Sequence, residues 1–152
     1  MKIQPLIIAA LILIGASNLI HAEQQKDWLA VTIGNPWLGV KYDISKRFSV
    51  ELRDVIDPEL TIPDLRAAFN FYRGEKLKGF AGLEYGAISF NSDSLSGNGT
   101  LINVFAGSEY RISPKLGLSA DIGYTNIDIK SSIYSVAGPE YIFNLGLNCY
   151  IF

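Results

Sequence analysis

Polar and apolar residues alternate with a period of two along most of the chain beyond residue 27, the spacing of a strand whose two faces meet different surroundings. In FSVELRDV (48–55), Phe48, Val50 and Leu52 share one face, and Ser49, Glu51 and Arg53 share the other. LRAAFNFYR (65–73) sets Leu65, Ala67, Phe69 and Phe71 against Arg66, Asn70 and Tyr72. LINVFAGSEYRI (101–112) alternates Ile102, Val104, Ala106, Tyr110 and Ile112 with Asn103, Gly107, Glu109 and Arg111. LGLSADIGYT (116–125) sets Leu116, Leu118, Ala120, Ile122 and Tyr124 against Ser119, Asp121 and Thr125. No stretch carries a helical period, so the pattern predicts an all-β protein.

Short connections alternate with longer ones. SKR (45–47), RGEK (73–76) and SPK (113–115) read as tight turns, whereas DPELTIPD (57–64), NSDSLSGNGT (91–100) and KSSIYS (130–135) are longer and polar. That rhythm predicts an up-and-down antiparallel barrel with one tight-turn end and one loop end. Two divisions of the chain give eight strands. One breaks the first apolar stretch at Asn35-Pro36 into about 28–34 and 37–44 and keeps 136–152 as a long closing strand. The other keeps 28–44 continuous and places a hairpin at Asn144. The first is preferred because it puts the termini and all the tight turns at the same end. A short motif recurs as GVKY (39–42), GLEY (82–85), GSEY (107–110) and GPEY (138–141). On a strand it places the glycine and the charge on one face and the tyrosine on the other.

The segment before residue 23 does not fit this pattern. Lys2, an apolar run from Leu6 to Ala16 and a polar stretch ending at Ala22 have the layout of a signal peptide, too short for a spanning helix. The expected organisation is therefore a signal peptide at 1–22 and one β-barrel domain at 23–152. Cleavage there would remove His21, the chain's one histidine, and the formal net charge of -2 gives no footprint for nucleic acid. A single cysteine, Cys149, excludes an internal disulfide framework, so closure of the sheet is the expected source of stability.

Orientation of the barrel decides its class. The polar face mixes glycines with both signs of charge: Lys41, Asp43, Glu51, Arg53, Arg66, Lys78, Glu84, Glu109, Arg111, Asp121 and Glu140. The opposite face is apolar along every strand, and the aromatics Tyr42, Phe48, Phe71, Tyr72 and Tyr110, from either face, flank the tight turns. This is the inverted arrangement of a transmembrane barrel, apolar outside and polar within. Glu51, Arg53, Arg66, Glu84, Glu109, Arg111, Asp121 and Glu140 are the residues expected to form a paired interior network, because an unpaired buried charge is costly.

The chain's last residues, Tyr150-Ile151-Phe152, resemble the closing strand of bacterial outer-membrane barrels. Together with the N-terminal segment, the chain length and the turn rhythm, they resemble the small eight-stranded group that includes the outer-membrane protein A transmembrane domain and the opacity-type proteins. The resemblance implies location in the cell outer membrane, contact with outer-membrane lipids, and reading of the closing strand, through Tyr150 and Phe152, by the barrel-assembly machinery. The apolar set Tyr141, Phe143, Leu145, Leu147, Cys149 and Ile151 is out of phase with Tyr150 and Phe152, and a bulge near the end would reconcile them.

Catalysis finds little to work with. Serine–histidine chemistry and histidine metal sites lack a histidine in the mature chain, Cys149 lacks a base partner, and Gly97–Gly99 lacks the lysine of a phosphate cradle. The expectation is no enzyme, no cofactor and no metal, with a structural or surface-interaction role. The alternative is a soluble, exported, lipocalin-like barrel with its apolar face inward and a small apolar ligand inside. A porin-like conduit is disfavoured because eight strands leave little lumen.

Overall fold

The structure, a computed structural model, describes residues 28–55, 57–91, 96–131 and 133–151. The expected signal peptide at 1–22, and Phe152, lie outside the described residues. Nine strands follow in order: β1 (Leu29–Gly34), β2 (Trp37–Asp43), β3 (Phe48–Val55), β4 (Leu60–Thr61), β5 (Asp64–Arg73), β6 (Leu77–Asn91), β7 (Ser96–Ser113), β8 (Leu116–Ser131) and β9 (Ser135–Tyr150). Eight of them pair antiparallel with their neighbours, and β1 pairs with β9, so the ring of hydrogen bonds closes. The two-residue β4 is an addition, pairing with the far end of β6. The first apolar stretch divides at Asn35-Pro36, a cis peptide, and Asn144 lies inside the unbroken β9.

The stagger of the barrel follows from its register. Partners run from Asn148 through Thr32, Gly39, Arg53, Asp64, Gly86, Leu101 and Ile127 back to β9 at Gly138. The row thus returns about ten residues along the strand it left, a shear that tilts eight strands by roughly 40°. Inward positions along this row are mostly small, polar or charged, with Leu101 and Ile127 the apolar pair. Glycine is required where a neighbour crosses the lumen. A Cβ on Gly123 would collide with the Asn103 amide, and one on Gly146 would meet the Trp37 ring that lies across it.

Strand length differs sharply around the ring. β1, β2 and β3 have 6, 7 and 8 residues, whereas β6 to β9 have 15 to 18. At about 3.3 Å per residue, the long hairpins rise well beyond the Asn35-Pro36 tip at the loop end. Pairing between β1 and β9 stops at Gly34 and Gly146, so among the described residues Ser135–Leu145 of β9 pair on the β8 side alone. Ile151 donates its N–H toward β1, to Leu29, and Tyr150 donates toward the foot of β8, to Lys115. Odd-numbered residues of β9 therefore face the open side. Pro139 belongs to that set, where its missing N–H forfeits no ladder bond.

Three local readings are corrected. NSDSLSGNGT is mostly strand: β6 continues to Asn91, and β7 begins at Ser96 because Gly97 and Gly99 pair with Phe90 and Ile88. DPELTIPD contains β4, held by Leu60 opposite Phe90. Tyr72 is not on the polar face. The register slips between Asn70 and Tyr72, so the extra residue Phe71 and Tyr72 both lie outside, 61% and 53% exposed.

Candidate functional site in the barrel interior

Each strand sends alternate side chains inward, and the tilt stacks them in layers. The layer nearest the tight turns centres on Glu109 of β7, which is 1% exposed. Its carboxylate takes Lys41 of β2 at 2.9 Å, Lys78 of β6 at 3.1 Å and Arg111 at 3.2 Å, and accepts a hydrogen bond from the Tyr150 hydroxyl at 2.6 Å. Asp43 stands 3.7 Å from Lys78 and 3.9 Å from Arg73.

The middle layer centres on Arg66 of β5. Its guanidinium lies 3.2 Å from Glu84 on β6, 3.1 Å from Asp121 on β8 and 3.9 Å from Glu51 on β3. Arg53 approaches Glu51 at 2.9 Å, and Thr32 of β1 donates to the same carboxylate at 2.7 Å. Asn103 donates to Glu84 and Asn144 donates to Asp121, both at 2.9 Å. Seven strands thus meet around one guanidinium and its neighbours. Removing these ions from water costs several kcal/mol each, and the interlocked pairing offsets it.

Three arginines also lie flat on buried aromatics. Arg53 stacks on Trp37 at 3.6 Å, Arg66 on Phe105 at 3.6 Å and Arg111 on Tyr150 at 3.5 Å from the ring centre. Stacking leaves the guanidinium edge free for carboxylates while its face meets carbon. The remaining void in the middle layer is about 20 Å³, lined by Lys41, Glu51, Arg66 and Phe105 among others, which has room for about one water.

Of the residues singled out from sequence, Glu51, Arg53, Arg66, Glu84, Glu109, Arg111 and Asp121 stand in these two layers. They form two centres rather than one, and Asp121 reaches across the lumen to Arg66. Arg111 is at the edge, with its side chain 19% exposed and bonded also to the Pro114 carbonyl at 2.9 Å. Glu140 is a correction. It is exposed and makes no ion pair among the described residues, because β9 there has outrun β1 and its inward side faces an opening. Tyr150 is another. The β9 ladder runs without a slip from Gly146 to Tyr150, so no bulge lies there and the phenol points inward onto Glu109.

Lys41, Asp43 and Lys78 were legible on the polar face yet were not assigned to the network. In the sequence pattern Asn103 is on the same polar face without a network role, and Thr32, Trp37 and Phe105 carry no sequence expectation. Their signal was available: Trp37, Phe80, Phe105 and Tyr150 are aromatics standing in the polar phase of their strands.

No family model matches the chain, and no curated protein matches it. Among solved structures it is similar to the N-terminal β-barrel domain of Pseudomonas aeruginosa OprF, with 20% identity and a TM-score of 0.52 over 80% of this chain and 92% of that one. At that identity the likeness speaks to fold.

Proposed function

We propose that the chain is a small β-barrel protein of the bacterial outer membrane, exported by its N-terminal segment, with a structural or surface-interaction role and no catalytic activity. The observation that carries this reading is the inversion of polarity. Ions fill the interior, while Leu83, Val104, Ile122, Phe143 and other large apolar side chains stand more than half exposed on the outside. A water-soluble protein does not leave an apolar belt bare on every strand.

The dimensions agree with a membrane. The outward apolar set of β9 runs from Tyr141 to Ile151, about 33 Å of strand, which a tilt of roughly 40° reduces to a height of roughly 25 Å. That is the apolar height of transmembrane barrels. Above it the outward residues become polar: Ser89, Thr100, Asn126, Asp128 and Lys130. Aromatics stand near both limits, with Tyr85, Tyr124 and Tyr141 above and Phe48, Tyr72 and Tyr110 below. The ligand-carrying, lipocalin-like alternative needs an apolar interior, and the layers around Glu109 and Arg66 count against it.

Outer-membrane lipids are the proposed surroundings, and the assembly machinery, reading the closing strand, is the proposed partner in biogenesis. The test is cell fractionation with the full-length chain. We expect recovery in outer membranes as a species that migrates faster unheated than boiled. Recovery in the soluble periplasm would overturn the reading.

A further inference from the structure

Charge is distributed unequally between the two ends of the barrel. Every tight turn has a pair of cations in or beside it: Lys46 and Arg47 between β2 and β3, Arg73 at the end of β5 with Lys76 after it, and Arg111 near the end of β7 with Lys115 before β8. The one exposed acid described at that end is Glu75. At the loop end the exposed or half-buried charges described are Asp54, Asp57, Glu59, Asp128 and Glu140, against Lys130, with Asp64 buried there.

Between the β5–β6 and β7–β8 turns opens a cavity of about 380 Å³. Arg73, Lys76, Lys78 and Arg111 line it, facing Glu75 and Glu109. Glu109 takes Lys41, Lys78 and Arg111, and Asp43 stands beside Lys78 and Arg73, yet these cations with Lys76 outnumber Asp43, Glu75 and Glu109, so the mouth keeps an excess of positive charge. Leu77 and Ile112, outward-facing and 44% and 55% exposed, belong to the same wall. A cationic floor continuous with apolar residues of the outer face suits a molecule that is anionic at one end and hydrocarbon at the other. A free phosphate would use the first feature and leave the second idle.

We propose that this cavity holds the headgroup of an anionic phospholipid from the leaflet at the tight-turn end, its phosphate drawn by Arg73 and Lys76 and its glycerol and acyl chains lying against Leu77 and Ile112. The inference rests on the outer-membrane reading. The test uses the mature chain refolded into phosphatidylcholine vesicles, with insertion scored first by heat-modifiable migration. Inserted protein is then given equimolar phosphatidylglycerol and phosphatidylcholine, and retained lipid is counted by native mass spectrometry. We expect phosphatidylglycerol to be retained about five-fold or more over phosphatidylcholine, and R73Q/K76Q to bring the two near parity while migration is unchanged. Parity in the unaltered chain, or an undiminished preference in R73Q/K76Q, overturns the proposal and leaves the membrane reading standing. Loss of the preference when inorganic phosphate is added at about 10 mM would show that a free anion is the ligand, and would overturn the lipid assignment. A chain that fails to insert at all overturns both.

Discussion

Arg66 shows how one residue can hold a barrel together. It is 3% exposed, reaches three carboxylates from three other strands and rests on Phe105. Arg66→Met leaves Glu84 and Asp121 without their cation and should destabilise the folded state by about 3–5 kcal/mol, read from urea titrations in detergent. Arg66→Lys keeps the charge but loses the fork and the stack, and should cost about 1–2 kcal/mol. Arg111→Met should be milder than Arg66→Met, at about 1–3 kcal/mol, because Glu109 keeps Lys41 and Lys78 when Arg111 is lost. Equal losses at Arg66 and Arg111 would contradict the ordering. The combined Arg66→Met/Asp121→Asn change should cost less than the two singles added, by about 0.5–3 kcal/mol.

At the scale of the strand, glycine is the informative residue. Gly123→Val on β8 would push aside Asn103, which is 1% exposed and holds Glu84, so a loss of about 1–3 kcal/mol is expected. Gly138→Val on β9 has open space around it and should fall within about 0.5 kcal/mol of the unaltered chain. Both glycines occupy inward positions on paired strands, and sequence alone does not separate them. What the alternation disclosed was the face: period two puts Glu51, Arg53, Glu109 and Asp121 on the polar side, and the mixed charges and glycines of that side point it inward. What it did not disclose was partnership. Arg66 and Asp121 are 55 residues apart and meet through the curvature of the whole sheet. Nor was the bulge at Phe71 legible, since one inserted residue in an aromatic-rich stretch leaves two plausible phases.

The whole molecule is a body whose outer belt is apolar and whose centre is ionic. Ile122, in the apolar belt one outward position inside Tyr124 and 56% exposed, tests what surrounds it. In a bilayer, Ile122→Arg should cost about 2–4 kcal/mol and impair insertion. Were the same barrel bathed in water, that change would lie within about 0.5 kcal/mol of neutral. Refolding yield into vesicles, compared between Ile122→Arg and the unaltered chain, distinguishes the two.

The unequal strand lengths also have a mechanical meaning. β1 and β9 meet over five residue pairs, from Ala30–Tyr150 to Gly34–Gly146, whereas β8 and β9 meet over fifteen. β1 and β2 also meet over five pairs, but a short turn ties them, whereas β1 and β9 come from opposite ends of the barrel sequence. The β1–β9 seam should therefore be the last line to fasten during folding and the first to part under load. Native Cys149 sits opposite Val31 across it. Val31→Cys offers a covalent clasp at that point, and its oxidised form should resist urea by roughly 2–4 kcal/mol more than its reduced form. A clasped barrel that unfolds no later than an unclasped one would mean that the sheet tears elsewhere first.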